Sequence, residues 1–138
     1  MTFTILIFSY RKTGTTPEEF RVQCEGTLLP LLKEITGTHF PLCHTRRYIQ
    51  RTEGPKADSN TERNPTTPAT VFVGSQADFD YDAIAELTFA DQAAFGRFIG
   101  LMQQPDNAAK IAEAEGKFTD SGKTSIVAVG ETAVTRNE

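Results

Sequence analysis

The chain has 138 residues, 38% hydrophobic and 23% charged, with a formal net charge of −4, the make-up of a single soluble domain with one core. An acidic balance argues against a nucleic-acid surface, which needs a basic face, and no window approaches the ~18 apolar residues of a membrane helix. With only His39 and His44 present a three-histidine metal centre is excluded, and Cys24 and Cys43, which lack any CxxC spacing, read as free buried thiols.

Residues 2–10, "TFTILIFSY", are β-branched and aromatic with apolar side chains on both sides, so they read as a strand buried on two faces rather than as a secretion signal, and the expected location is the cytoplasm. Thr16-Pro17-Glu18-Glu19 then spells a helix start: a threonine cap, proline at the first helical position and a glutamate to close the capping box. Phe20, Cys24, Leu28, Leu31, Leu32 and Ile35 recur at helical spacing until Gly37. Pro30 lacks a donor and clashes with the carbonyl of Gly26, so the helix is expected to bend around those two residues.

"HTRRYIQR", 44–51, reads as the second strand, and 53–70 as a long polar loop with three prolines, a lid or a disordered segment. "TVFVG", 70–74, offers a short extra strand. In "DYDAIAELTF", 80–89, Ala83, Ala85, Leu87 and Phe89 alternate with Asp82, Ile84, Glu86 and Thr88, the pattern of a strand with one core face. Thr88 and Asp91 can open the next helix, whose stripe is Phe95, Phe98, Ile99 and Met102, and Pro105 ends it. Asp106 can cap a short further helix, and "KTSIVAVGETAV" supplies the last strand.

The order strand, helix, strand, strand, helix, strand predicts a ferredoxin-like α+β fold, with a four-stranded antiparallel sheet and its helices on one face. Because the first strand is apolar on both sides, the uncovered face is expected to pack against a second copy in a homodimer.

Several stretches together, "TPEEF", "LLPLLKEITG" with "FPLCHTRRYI", "DFDYDAIAELTFADQAAF" and "AAKIAEAEGKFTD", resemble the EthD-domain family of dimeric α/β-barrel proteins, in particular its members in fungal polyketide gene clusters. The resemblance spans 1–138 as one domain, apart from the 53–70 loop and the last few residues. It implies enzymes that need no metal or organic cofactor: anthrone decarboxylases and dehydratases, or quinone-forming monooxygenases. The expected partner is thus an aromatic polyketide, and the expected activity a cofactor-independent lyase in secondary metabolism. An isomerase or cyclase, a monooxygenase, or a non-catalytic ligand-binding barrel are the alternatives. His44, Arg46, Arg47 and Tyr48 match the family's "HTRRY", Tyr81 and Asp82 its "YDA", and Phe118 with Asp120 its "FxD". Leu28 stands where the family's Glu-x-x-His-x-Pro has histidine, and Ala114 where many relatives carry an acid beside the one matched by Glu115.

Strand periodicity puts His44, Arg46 and Tyr48 on one face and Arg47 and Arg51 on the other. The catalytic candidates are His44, as a general base or acid against a plain hydrogen-bonded role, with Tyr48, Glu86 and Asp82. Arg46 either holds an enolate or pairs with Glu86 or Asp82; Glu86 either rises in an apolar cavity or is held ionised by Arg46. His39, Asp120, Tyr81 and Phe98 are candidate substrate contacts, each with a surface, turn or core alternative, and Arg47 and Arg51 are read as solvated or dimer-contact residues.

Overall fold

The computed structural model describes residues 2–52 and 67–137. The lid or disorder expected of 53–70 therefore falls largely outside the described residues.

Four strands, β1 (Phe3–Ser9), β2 (Cys43–Tyr48), β3 (Ala83–Phe89) and β4 (Ser125–Ala128), form one antiparallel sheet in the order β2-β3-β1-β4. This is the expected ferredoxin-like arrangement, with the helices on one face. The alternation read in 83–89 is realised: Ala83, Ala85, Leu87 and Phe89 are buried and the residues between them are half-exposed. Leu87 and Phe89 join Ile5 and Phe98 in the main core, while Phe20 and Phe118 pack over Ala83 in a second cluster. Each such large side chain contributes about 1.5–3 kcal/mol on burial.

Two strands are shorter than their sequences suggest. β2 stops at Tyr48, opposite Ala83 where β3 begins, and the chain then turns so that Arg51 bridges Ala69. β4 ends at Ala128, followed by one further bond from the Val129 amide to the Thr4 carbonyl, because β1 has almost no residues left to pair. Residues 70–74 form no strand, and Phe72 and Val73 stand exposed.

The capping box is present: the Glu19 amide donates to Thr16 Oγ1 and the Thr16 amide to Glu19 Oε1, opening α1 (Pro17–Gln23). The distortion expected at Gly26 and Pro30 takes the form of a π-helical segment, Cys24–Leu28, before α2 (Leu29–Thr36). The Leu29 amide bonds the carbonyl of Cys24, five residues back, and the wider winding accommodates the donorless Pro30 one position later. Asp91 caps α3 (Gln92–Met102) through the Ala94 amide. Helix α4 (Pro105–Glu115) starts at Pro105 itself, with Asp106 inside its first turn and not at the cap. Among the described residues no helix is long and apolar enough to cross a membrane.

Candidate functional site

Small residues on the helix-facing side of the sheet open the cavity. In cross-strand rows Tyr48 faces Ala83 and Ser9, and Arg46 faces Ala85, Ile7 and Ile126, so the middle of the floor carries alanines. Above it Phe20, Cys24, Leu28 and Leu32 line a cavity of about 160 Å³, with Phe98 and Phe118 also in its wall. An open groove of about 590 Å³ lies beside it, between Pro30 and Lys33 of α2 and the Phe40–Cys43 stretch. Leu29, His44 and Arg46 line both spaces.

The β2 edge of this cavity is a connected polar wall. Arg46 grips Glu25 of the π-helical segment with two parallel bonds, Nε to Oε2 at 2.6 Å and Nη2 to Oε1 at 2.8 Å. The Tyr48 hydroxyl donates to the same Glu25 Oε2 at 2.5 Å. Arg46 Nη1 lies 2.8 Å from the His44 carbonyl and 3.1 Å from His44 Nδ1. A guanidinium only donates, so Nδ1 accepts and the proton of the neutral ring sits on Nε2.

The charges follow from these contacts. Arg46's bonds, with help from Tyr48, hold the Glu25 carboxyl down at about 2. Burial, and then the adjacent Arg46 charge, lower His44 to about 4, so the imidazole is neutral at physiological pH. Burial pushes the Tyr48 hydroxyl up, as do its bonds to Cys24 and Glu25. Desolvation likewise raises the Cys24 thiol. Both cysteines are free, as expected, but neither is fully buried: Cys24 is half-buried and Cys43 exposed.

This geometry revises the expected partners. Arg46 pairs with neither Glu86 nor Asp82, since the π-helical segment delivers Glu25 to it first. Glu86 faces Thr45 across the ladder, on the sheet surface away from the helices, where it lies 3.9 Å from the exposed Arg47. Asp82 is buried on that side between Arg11 and Arg51, bonded to the Arg11 amide at 2.7 Å and to Arg51 Nε at 3.0 Å. Arg51 is therefore no surface residue: its side chain is 3% exposed and also donates to the carbonyls of Thr67, Phe79 and Tyr81. Tyr81 makes edge contacts with Phe8 and Tyr10 on the same side of the sheet. His39 is exposed in the short turn Gly37–His39 and lines a small groove with Phe89 and Arg97. Asp120 precedes the turn Ser121–Lys123, and its amide bonds the Tyr10 carbonyl. Phe98 is 2% exposed, a core residue whose ring also walls the cavity.

The structure thus joins His44, Arg46, Tyr48 and Phe98 at one cavity and leaves Glu86, Asp82, Tyr81, His39 and Asp120 outside it. Two site residues were not among the candidates: Glu25, which lines the outer groove and was legible only as the first position of the Glu-x-x-His-x-Pro pattern, and Glu115, which lines the inner cavity. Glu115 ends α4 and lines the cavity; its carboxyl is raised by burial and hydrogen-bonded by Ser121. Among the described residues no group of three or more His, Cys, Asp or Glu side chains is placed to hold a metal.

His44 also makes folding stability sensitive to pH. Its folded value of about 4 lies below the ordinary 6.5, so between these values the unfolded chain binds the extra proton. Stability is therefore expected to fall as pH drops from 6.5 toward 4, by roughly 2 kcal/mol after allowance for partial exposure. Urea melts of wild type and His44→Asn across that range check this; the variant should lack the step.

A family model described as the EthD domain matches residues 12–122. A protein of Arabidopsis thaliana of known structure aligns over 97% of this chain and 99% of its own, at 16% identity and a TM-score of 0.53. An ethyl tert-butyl ether D (EthD) family protein of Bacillus halodurans C-125 aligns over 94% and 99%, at 15% identity and a TM-score of 0.51. At these identities the likeness is one of fold. No curated protein matches the sequence. The family match runs from the loop after β1 to the turn before β4 and takes in the polar wall and Glu115; the chain belongs to the EthD domain family.

Proposed function

We propose that the protein is a cofactor-independent lyase that removes water or carbon dioxide from an aromatic polyketide. The observation that carries this reading is the state of His44. Arg46 occupies its Nδ1, and the donors of Arg46 and Tyr48 are largely committed to Glu25 and His44, so the Nε2–H is the polar-wall donor left to a ligand. A neutral, oriented N–H at an apolar cavity suits an oxygen that gains negative charge as an enolate or phenolate forms. The role of moving the proton is less well served by His44, because a group held down at about 4 with its Nδ1 lone pair engaged is a weak base. Arg46 acts here as a positioning residue.

Size restricts the substrate. A cavity of about 150 Å³ takes a benzene-sized guest, so the inner space of about 160 Å³ suits one aromatic ring. The remainder of a fused polyketide would extend past Leu29 and His44 into the outer groove. Incubating the protein with a panel of hydroxylated anthrones and their carboxylated precursors under argon should give product lighter by one water or one carbon dioxide. In a parallel incubation in air, oxygen uptake with a heavier product would mark a monooxygenase, and tight binding with no mass change in either atmosphere a ligand-binding barrel; either result overturns the lyase reading.

The same proposal includes a homodimer formed through the other sheet face. Leu6, Phe8, Ile84 and Val127 lie there, with no helix over them among the described residues, and Val127 is 52% exposed. Sedimentation at micromolar concentration should show a dimer, and Val127→Arg should shift it to monomer.

A further inference from the structure

The cavity is polar at both edges, and only the β2 edge is spoken for. His44, Arg46 and Tyr48 stand on β2, one outer strand of the sheet. At the other side Ser9, Thr119, Thr124 and Glu115 line the same cavity, next to the approach to β4, the opposite outer strand. Two strands lie between, so the edges are separated by roughly 14 Å at the usual strand spacing. A single planar ring with an extended substituent can touch both.

Glu115 differs from Glu25, Asp82 and Glu86. Glu25 is held by Arg46 and Tyr48, Asp82 by two arginines, and Glu86 faces away from the helices. Glu115 faces the cavity with Ser121 as its hydrogen-bonding neighbour and no ion pair among the described residues. The groups around it are Cys24 of the π-helical segment, whose thiol its charge disfavours as a thiolate, and Thr119, whose hydroxyl is committed to the Glu115 carbonyl. Lys117, two residues on, is exposed, and Lys12 from the loop after β1 donates to the Gly116 carbonyl. Burial raises this carboxyl, and its place at a helix C-terminus acts in the same direction through the helix dipole.

We propose that Glu115 is the proton-transfer residue of this cavity, working opposite the His44 donor on a ligand that has a carbonyl or phenolic oxygen at the β2 end and its labile hydrogen at the β4 end. The proposal rests on the lyase reading for the reaction it serves. In loss of water, the Glu115 carboxylate takes the hydrogen from carbon and the bonding pair moves into the carbonyl, giving an enolate held by His44 Nε2–H. The enolate then re-forms the carbonyl as the carbon–hydroxyl bond breaks, and Glu115 returns its proton to the departing hydroxide. In loss of carbon dioxide, the carbon–carbon pair enters the carbonyl and neutral Glu115 delivers its proton to the carbon. Neither route needs an oxidant or reductant.

The experiment follows hydrogen exchange and turnover separately in the full-length protein. A hydroxylated anthrone in deuterium oxide should exchange its ring methylene hydrogens in the presence of wild type, above the uncatalysed rate. Glu115→Gln should lower both exchange and turnover about a hundredfold or more, with 1-naphthol affinity and melting temperature unchanged, and Glu115→Asp should recover part of the loss. Exchange without loss of water or carbon dioxide would sink the lyase reading and leave Glu115 standing. Turnover or exchange in Glu115→Gln equal to wild type would overturn Glu115 whatever the reaction is. A wild type that catalyses neither overturns both.

Discussion

Asp82→Ala is expected to destabilise the protein by roughly 3–5 kcal/mol, the usual consequence of removing one partner from a buried charged group. The Asp82 carboxylate is 4% exposed and lies between two guanidinium groups that are 8% and 3% exposed, so the substitution leaves two buried positive charges facing each other. It also strands the Arg11 amide, which donates to Asp82 Oδ2. Arg51 would lose the contact that fixes its Nε while its other donors hold the carbonyls of Thr67, Phe79 and Tyr81, so the damage should spread to residues 67–81. A melting temperature lower by roughly 10–20 °C follows for a domain of this size. Asp82→Asn keeps one acceptor oxygen and should lose less. Because Asp82 does not line the cavity, whatever fraction remains folded should keep its ligand affinity and turnover. A well-folded Asp82→Asn that had lost all turnover would instead return Asp82 to the site.

That cluster shows why parts of the molecule were legible in the chain and others were not. The alternation in 83–89, the Thr16 capping box and the conflict between Pro30 and Gly26 are local, and each is written in a few consecutive residues. The burial of Arg51 is not local. An isolated arginine near a strand end is by default solvated, and it is buried here only because residues 67–81 return over it with four carbonyls in reach. Arg46 met the same difficulty. Glu86 and Asp82 are its neighbours in strand order, but the pleat sends both to the other face, while Glu25, 21 residues earlier on a distorted helix, arrives within 2.6 Å. Glu115 gave a weaker signal still, one of two acids in "AEAEGKF", at a helix end that ordinarily faces solvent. The face carrying His44, Arg46 and Tyr48 was readable from periodicity; the hydrogen bonds that decide what each can do were not.

Arg46→Met should lower turnover about a hundredfold, the typical cost of disabling an oxyanion donor, and it should do so through His44. Arg46 places a donor on His44 Nδ1 and another on the His44 carbonyl, fixing both the ring and its tautomer. Without it, Nδ1 can take the ring proton and Nε2 can become an acceptor. The charge effect runs the same way: Arg46 lowers His44 and Glu25 raises it, so removing the cation should move His44 up from about 4, only part of the way to 6.5 because burial remains. Nitrogen NMR of the imidazoles reads this directly, since His39 and His44 are the only two in the chain. Wild type should show His44 neutral with its proton on Nε2 down to about pH 4, and Arg46→Met an upward-shifted titration with mixed tautomers. Arg46→Lys should not restore turnover, because one ammonium cannot reproduce the fork that holds both Glu25 oxygens while reaching Nδ1. The pair is partly exposed, with side-chain exposures of 24% and 37%, so the fold should survive the change and the loss can be assigned to the site. An Arg46→Met protein with wild-type turnover and an unshifted His44 would break the link between the guanidinium and the tautomer on which the reading of His44 depends.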